Sequence, residues 1–314
     1  MDFRRAFAAL LTKPGLIKSG LFAVSLTVAA ALAAQSAGDQ PLREANWIVP
    51  VQRIATLTQP MAQCQRPAVN AAVQRMVDSG ELAFRTPLLL GGQAARAGLS
   101  CNSCHINGRT NPGFSFPGLS GAPGSADVTS SILSSHRGDG VFNPKRIPDL
   151  ALDPPTVAAD ADDRILKAFL RGLIVEEFDG PEPSAETLAA LAAFVRHQGT
   201  DDCKSRAPTP ASVASETRLA GKALTIAASD PALAKLSLAA ARAALGRMYE
   251  RFPGSAFARE QAAIVALDDR LHALQQNGGS GTDLQTDLTA LDRLLQKAEP
   301  KSLYNPKRLA KALK

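Results

Sequence analysis

The segment Cys101-Asn102-Ser103-Cys104-His105 places two thiols two residues apart and an imidazole directly after the second thiol. No other feature of the chain constrains its structure and chemistry as tightly. Two cysteines at this spacing can each form a thioether bond to a vinyl group of a haem, and the histidine then lies under the iron as its proximal ligand. The motif therefore predicts one covalently bound haem c, attached through Cys101 and Cys104 and ligated by His105.

Two other functions of a CxxC pair have to be weighed. A zinc site needs two further clustered ligands, but the remaining cysteines, Cys64 and Cys203, lie far away on either side, without a second CxxC or an HxxxH. A redox dithiol of the thioredoxin type needs a preceding strand and a βαβ setting, and the sequence shows no such pattern. Haem attachment is the interpretation that uses both thiols and the histidine.

Residues 1–36 have the features of a secretory signal peptide. An apolar run from 21 to 34 is followed by small residues that offer A-x-A-like cleavage sites. The basic residues that precede this run are Arg4, Arg5, Lys13 and Lys18. We expect export to the periplasm, where haem is attached covalently in bacteria. An uncleaved membrane anchor beginning near Leu16 is the alternative, and membrane contact is expected only in that case.

An exported chain can form a disulfide, because its compartment is oxidising. Cys64 and Cys203 are the two thiols that remain after haem attachment, and they flank the haem segment. We predict that they are bonded to each other, and the alternative is two buried free cysteines. In the chain-entropy model a bridge across so long a loop stabilises a fold by about 4 kcal/mol.

The distribution of glycine, proline and alanine predicts two helical domains. A polar stretch with two prolines at 205–210 separates a part rich in glycine and proline from a part rich in alanine, leucine and charge. We predict an all-α protein, with a cytochrome c-like haem domain followed by an α-helical accessory domain. The predicted ranges are 1–36 for the signal peptide, 37–204 for the haem domain, 205–213 for a linker and 214–314 for the accessory domain.

Apolar residues at helical spacing locate the individual helices. In the haem domain they predict helices over 70–79, with Gly80 as a C-cap, and over 93–97, 162–173 and 184–197. The last of these is expected to pack on the haem domain as the final helix of a small cytochrome does. In the accessory domain they predict helices over 215–228, 232–251, 255–276, 282–298 and 306–313.

The net charge of +6 does not indicate nucleic-acid binding. The basic excess lies at the C-terminal end, where few aromatic residues accompany it, so we interpret it as a solvated end or a weak anionic contact. The residues concerned are Lys297, Lys301, Lys307, Arg308, Lys311 and Lys314.

The residues around the CxxCH resemble the cytochrome c superfamily. The stretches that carry the resemblance are Gly98-Leu99-Ser100 before the motif, Asn143-Pro144-Lys145-Arg146-Ile147-Pro148-Asp149-Leu150 after it, and Phe169-Leu170-Arg171-Gly172. Residues 80–200 are most similar to one haem unit of the di-haem cytochrome c peroxidase relatives, which have a TPxL-like segment and a late helix. Two departures matter: the chain has one CxxCH and not two, and it has no methionine between His105 and Met248.

The sixth position of the iron is therefore open to several candidates. We favour His136, which lies downstream in a polar, glycine-bearing loop where a histidine has little structural reason to be. Met76 is the next candidate, although core packing on a helix is its more ordinary role. An open sixth position is the alternative to any protein ligand, and we place it ahead of Met76. His197 and His272 are interpreted as structural residues.

The favoured function is electron transfer in the periplasm with a redox partner protein. The sixth ligand separates this function from its main alternative, since an open or displaceable position would admit peroxide and make the chain a haem enzyme of peroxidase type. Arg137 and Asp139, beside His136, would suit such a site, because an arginine can polarise bound peroxide and a carboxylate can act as acid or base. The more ordinary interpretation of these two residues is a turn held by its own salt bridge and glycines. A further alternative is a sensor or interaction protein whose helical half binds the partner.

Overall fold

The computed structural model describes residues 41–129, 132–153, 160–277 and 283–314. These residues are mostly helical, as predicted for the all-α class, and their two β-strands contain two residues each. The predicted signal peptide lies outside the described residues. The α-helices are α1 (Pro50–Thr58), α2 (Ala71–Phe84), α3 (Gly92–Ala97), α4 (Cys101–Cys104), α5 (Arg164–Gly172), α6 (Ala185–Arg196), α7 (Val213–Ser229), α8 (Pro231–Glu250), α9 (Ala258–Asn277), α10 (Leu284–Ala298) and α11 (Pro306–Ala312).

The strands form a small antiparallel ribbon in the long connection between α4 and α5. β1 (Ser125–Ala126) pairs with β2 (Lys145–Arg146), and Ser125 lies opposite Arg146. The main chain continues this pairing by one bond, because the Ile147 amide donates to the Gly124 carbonyl at 2.9 Å. The ribbon therefore holds Ile147, the first residue after β2, next to Gly124. Among the described helices, none is long and apolar enough to cross a membrane.

Helices α2 and α6 cross at a glycine. A Cβ atom added to Gly80 would lie 2.6 Å from Cβ of Phe194, and closer still to the carbonyl of Ala190. The two backbones therefore approach to a distance that only glycine permits. One turn further along, the rings of Phe84 and Phe194 pack with their centroids 5.0 Å apart. The late helix α6 therefore packs directly on α2, the first helix predicted for this part of the chain.

The prediction that Gly80 caps a helix ending at residue 79 is wrong. Gly80 lies inside α2, which continues to Phe84. A glycine in a helix interior costs about 1 kcal/mol relative to alanine, and a glycine after an apolar repeat is more often a cap. Here the four residues that follow are buried, so tertiary packing outweighs the local preference. The shorter helix α3 ends as predicted at Gly98, which has φ +76°.

The C-terminal helices form an apolar core of their own and begin and end close to the predicted residues. Ser212 and Ser215 cap the start of α7 reciprocally. Asp230 caps α8 by accepting from the amides of Ala232 and Leu233, with Pro231 in the first turn. The largest fully buried side chains of this core are Leu245, Met248, Phe252, Ile264, Leu271 and Leu295.

This helical part packs directly on α2. Lys222 of α7 donates to the carboxylates of Asp78 at 2.9 Å and Glu81 at 2.7 Å, and Leu82 belongs to the C-terminal apolar core. The predicted linker is also bound, since the Ala211 amide donates to the carbonyl of Thr58 at 2.9 Å. The described residues accordingly belong to one compact unit.

We expect Gly80→Ala to destabilise the protein. The added methyl would force α2 and α6 apart, and overpacking of this kind costs about 1–3 kcal/mol. In a chain of this size each kcal/mol lowers the melting temperature by about 2–4 °C. Thermal unfolding followed by circular dichroism measures the effect.

Gly221→Ala is the matched control, because a Cβ at Gly221 of α7 meets its nearest atom at 3.6 Å. That substitution should leave the melting temperature unchanged or raise it, since alanine favours the helix. Equal melting temperatures for the two variants would contradict the close approach at Gly80.

Candidate haem site

The two cysteines of the motif lie on one short helix. Ser100 and Ser103 cap each other's backbone at the start of α4, and α4 contains Cys101 and Cys104 at its ends. Residues three apart on a helix share a face, so both thiols lie on the same side of this turn. The helix ends at His105, whose backbone has left the helical region with φ −117° and ψ 67°.

The imidazole of His105 is oriented by a main-chain carbonyl. Its Nδ1 lies 3.0 Å from the carbonyl oxygen of Pro148. Because a carbonyl can only accept, Nδ1 carries the proton and donates, which leaves the lone pair on Nε2. Burial lowers the pKa of His105 to about 4, and the bond to Pro148 opposes that shift. The ring is therefore neutral at neutral pH, which is the form that ligates a metal.

The thiols of Cys101 and Cys104 are free. Burial raises the pKa of each to about 12. A redox dithiol requires the opposite shift, because its nucleophile is the thiolate. The electrostatic environment of the motif therefore does not favour dithiol chemistry.

The other two cysteines are bonded to each other, which confirms the predicted pairing. Cys64 and Cys203 form a disulfide with their Cα atoms 5.5 Å apart. Their sulfur atoms are therefore not thiolates that a zinc ion could take. Across the described ranges, no three or more His, Cys, Asp or Glu side chains come together as a group that could hold a metal ion.

Apolar side chains surround the motif. The half-buried cysteines of α4 pack against a buried cluster that includes Phe84, whose ring centroid is 6.3 Å from that of His105. Of the aromatic residues that follow the motif, Phe114 is fully buried in this cluster, whereas Phe116 is half-buried and stacks on Trp47. The buried members of this cluster include Val77, Leu89, Leu90, Ala94, Leu99, Leu119, Leu133, Ile147, Ile174, Leu191 and Phe194.

A buried ion pair lies close to His105, and the sequence analysis did not identify it. Nε of Arg109 lies 2.9 and 2.8 Å from the two carboxylate oxygens of Asp149, and each side chain is only 7% exposed. Nη1 of Arg109 also donates to the carbonyl of Cys203 at 3.4 Å. The signal for this pair in the sequence was slight: an arginine four residues after His105, and an aspartate directly after Pro148.

The His136 loop is tied to the segment that follows α5. Nδ1 of His136 lies 2.9 Å from Oδ1 of Asp179, and the histidine side chain is 59% exposed. The Ser135 amide also binds this carboxylate, and this bond, more than that of His136, holds the pKa of Asp179 below its usual value. The contact with Asp179 leaves Nε2 as the free nitrogen of His136.

The neighbouring residues of that loop form further ion pairs. Arg137 binds Glu176 at 2.6 Å and Glu177 at 2.7 Å. Both carboxylates belong to a π-helical turn, Leu173–Glu177, a feature that is common at functional sites. Glu177 is buried, and its Oε2 has no hydrogen-bond partner among the described residues. Burial raises the pKa of Glu177.

The remaining candidate ligands have ordinary contacts. Nδ1 of His197 lies 2.8 Å from the carbonyl of Ala193 at the end of α6. Nδ1 of His272 accepts from Arg242 at 2.8 Å. Met76 is half-buried on α2.

No family model, no curated protein and no solved structure matches this chain.

We expect Arg109→Gln to be strongly destabilising. It would leave the Asp149 carboxylate buried without its counter-charge, and breaking a buried pair in this way costs about 3–5 kcal/mol. Urea unfolding of the purified protein measures the change in the free energy of unfolding.

Arg164→Gln serves as the control, because Arg164 pairs with Asp160 four residues earlier and its side chain is 78% exposed. Solvent screens such a pair, so the free energy of unfolding should change little. If the two substitutions had equally small effects, the Arg109–Asp149 pair would not be a structural element.

Proposed function

We propose that this protein is a periplasmic electron-transfer cytochrome with one covalent haem c. Cys101 and Cys104 would bind the haem through thioethers, and His105 would ligate its iron through Nε2. The observation that carries the proposal is the bond from His105 Nδ1 to the Pro148 carbonyl. This bond fixes the imidazole in the tautomer and orientation that a metal ligand needs. Two free cysteines lie next to it on one helix turn.

The donor set and its surroundings fit a haem. Haem supplies a one-electron iron couple when it is bound. Cys101 and Cys104 pack against a buried apolar cluster, and an apolar shell limits water access and so influences the potential of such a couple. The disulfide between Cys64 and Cys203 supports the oxidising compartment in which c-type haem is attached.

The alternative function is a haem enzyme of peroxidase type, and one observation favours it. Glu177 has a buried carboxyl oxygen without a hydrogen-bond partner in the described part of the chain, and burial raises its pKa. A carboxyl group in this condition suits proton transfer. Arg137, which binds Glu177, would supply a positive charge beside it. Peroxidase activity would require an open or displaceable sixth position on the iron.

The haem assignment is tested by replacing both Cys101 and Cys104 with alanine. Without thiols no thioether can form, so protein exported with the haem-attachment machinery should carry no covalent haem. The pyridine haemochrome spectrum of the denatured protein measures the haem that stays bound.

The matched control replaces the other cysteine pair, Cys64 and Cys203, with alanine, and that variant should keep its covalent haem. Wild-type protein that released its haem to acid-acetone extraction would refute the c-type assignment.

His136→Ala separates the two functions. If His136 is the sixth ligand, its removal leaves His105 in place and opens the distal position, so a low-spin spectrum should become high-spin at neutral pH. If His136 lines an open pocket, the wild type is already high-spin, and the substitution should slow the reaction with peroxide by about 10²-fold, the scale for a lost acid-base group.

The control for this experiment is His272→Ala, which removes an imidazole bound to Arg242 on the C-terminal helices and should change neither property. A His136→Ala protein with an unchanged spectrum and unchanged peroxide reactivity would exclude His136 from the site and make Met76 the leading candidate.

A further inference from the structure

We propose that Arg109 is a positioning residue for the proximal haem ligand. Together with the Cys64–Cys203 disulfide, it holds the Pro148 carbonyl against His105 and so sets the reduction potential of the iron. This inference rests on the proposed haem attachment and adds to it a determinant of the potential that lies outside the CxxCH motif.

The turn that carries Pro148 is held by the side chain of the next residue. Oδ1 of Asp149 accepts from the amides of Ala151 at 3.0 Å and Leu152 at 3.2 Å. The same carboxylate binds Nε of Arg109 through both of its oxygens. The conformation of the turn and the ion pair are therefore linked, because one carboxylate serves both.

The residue before Pro148 is anchored as well. The Ile147 carbonyl accepts from Oγ1 of Thr110 at 3.0 Å, and the Ile147 amide is bound to Gly124. Thr110 directly follows Arg109, so two consecutive residues downstream of the haem motif hold Ile147 and Asp149. Pro148 lies between these two anchored residues, and its carbonyl has little freedom to move away from His105.

Arg109 itself is fixed from the opposite side by the disulfide. Nη1 lies 3.4 Å from the carbonyl of Cys203 and 3.5 Å from Sγ of Cys64. The guanidinium thus joins the segment after the haem motif, the Pro148 turn and the disulfide. A planar group with several N–H donors can make all of these contacts at once, whereas the single ammonium of a lysine cannot.

The chemical consequence concerns the basicity of the proximal imidazole. A histidine ligand that donates its second N–H to a well-placed acceptor is a stronger electron donor to its metal. A stronger donor favours ferric over ferrous iron and lowers the potential. If the Arg109 contacts are lost, the Pro148 carbonyl is free to move, the bond from Nδ1 weakens, and the potential should rise.

The test is a potentiometric titration of the holoprotein, carried out on wild type, Arg109→Gln and Arg109→Lys. Mutating a group that hydrogen-bonds to a metal ligand typically changes metal affinity or activity by about 10-fold or more, and we expect an effect of similar size on the equilibrium between ferrous and ferric iron. A tenfold change in the ferrous-to-ferric equilibrium is a shift of about 59 mV for one electron. We expect Arg109→Gln to raise the potential by about this amount. Arg109→Lys should raise it by less, because lysine restores the positive charge but not the planar set of N–H donors.

The matched control is Arg164→Gln, which removes a surface ion pair at the start of α5 and should leave the potential unchanged. A role of Arg109 in stability alone would lower the melting temperature and leave the potential of the folded holoprotein at the wild-type value, and that result would overturn the inference.

If Arg109→Gln yields no holoprotein, Arg109→Lys and the variant with Cys64 and Cys203 both replaced by alanine decide by the same criterion. The cysteine variant keeps the ion pair but loses the Sγ contact of Arg109 and the covalent bridge that holds the Cys203 carbonyl in place, so it should also raise the potential. Failure of the proposed function is distinguishable, because the wild type would then give no covalent haem in the pyridine haemochrome assay. Covalent haem in every variant with an unchanged potential would overturn the inference alone.

Discussion

The buried ion pair between Arg109 and Asp149 is the contact on which the candidate site depends. Two charges are stable in so enclosed a place only when their hydrogen-bonding groups are satisfied together. Here the carboxylate binds Arg109 and the amides of its own turn, and the guanidinium reaches the disulfide. The requirement to satisfy both charges brings the segment after the CxxCH motif, the Pro148 turn and the Cys64–Cys203 bridge to one point. The orientation of His105 follows from that arrangement.

Helix α2 connects the candidate site to the rest of the fold. Gly80 allows α6 to approach α2 closely, and Phe84 extends from the same helix toward His105. Two other residues of α2 contact the C-terminal helices. Leu82 belongs to their apolar core, and Glu81 binds Lys222. One helix thus packs against the CxxCH motif and against the C-terminal half. This explains why the two halves form one compact unit although their sequences differ in composition.

Sequence patterns predicted most of the helices, because apolar spacing is a local property. The helices after residue 210 begin and end within a few residues of the predicted positions, and Ser184 caps α6 as expected. The disulfide was predictable by counting, since two cysteines remained once Cys101 and Cys104 were assigned to the CxxCH motif. Gly80 shows where local reasoning fails. The same residue is a helix cap in one context and a contact point in another, and the distinction depends on a helix more than a hundred residues later.

The sequence by itself determined which residues form the candidate haem site, because the CxxCH motif is contiguous and needs no knowledge of the fold. It also determined the helical class and the pairing of the remaining cysteines. Only the tertiary structure decided what orients these groups. The acceptor of His105 is 43 residues away, at Pro148, and the partner of His136 is equally distant, at Asp179. Such pairings are set by the packing of the whole chain, since a hydrogen bond between distant residues forms only where folding brings a donor and an acceptor together.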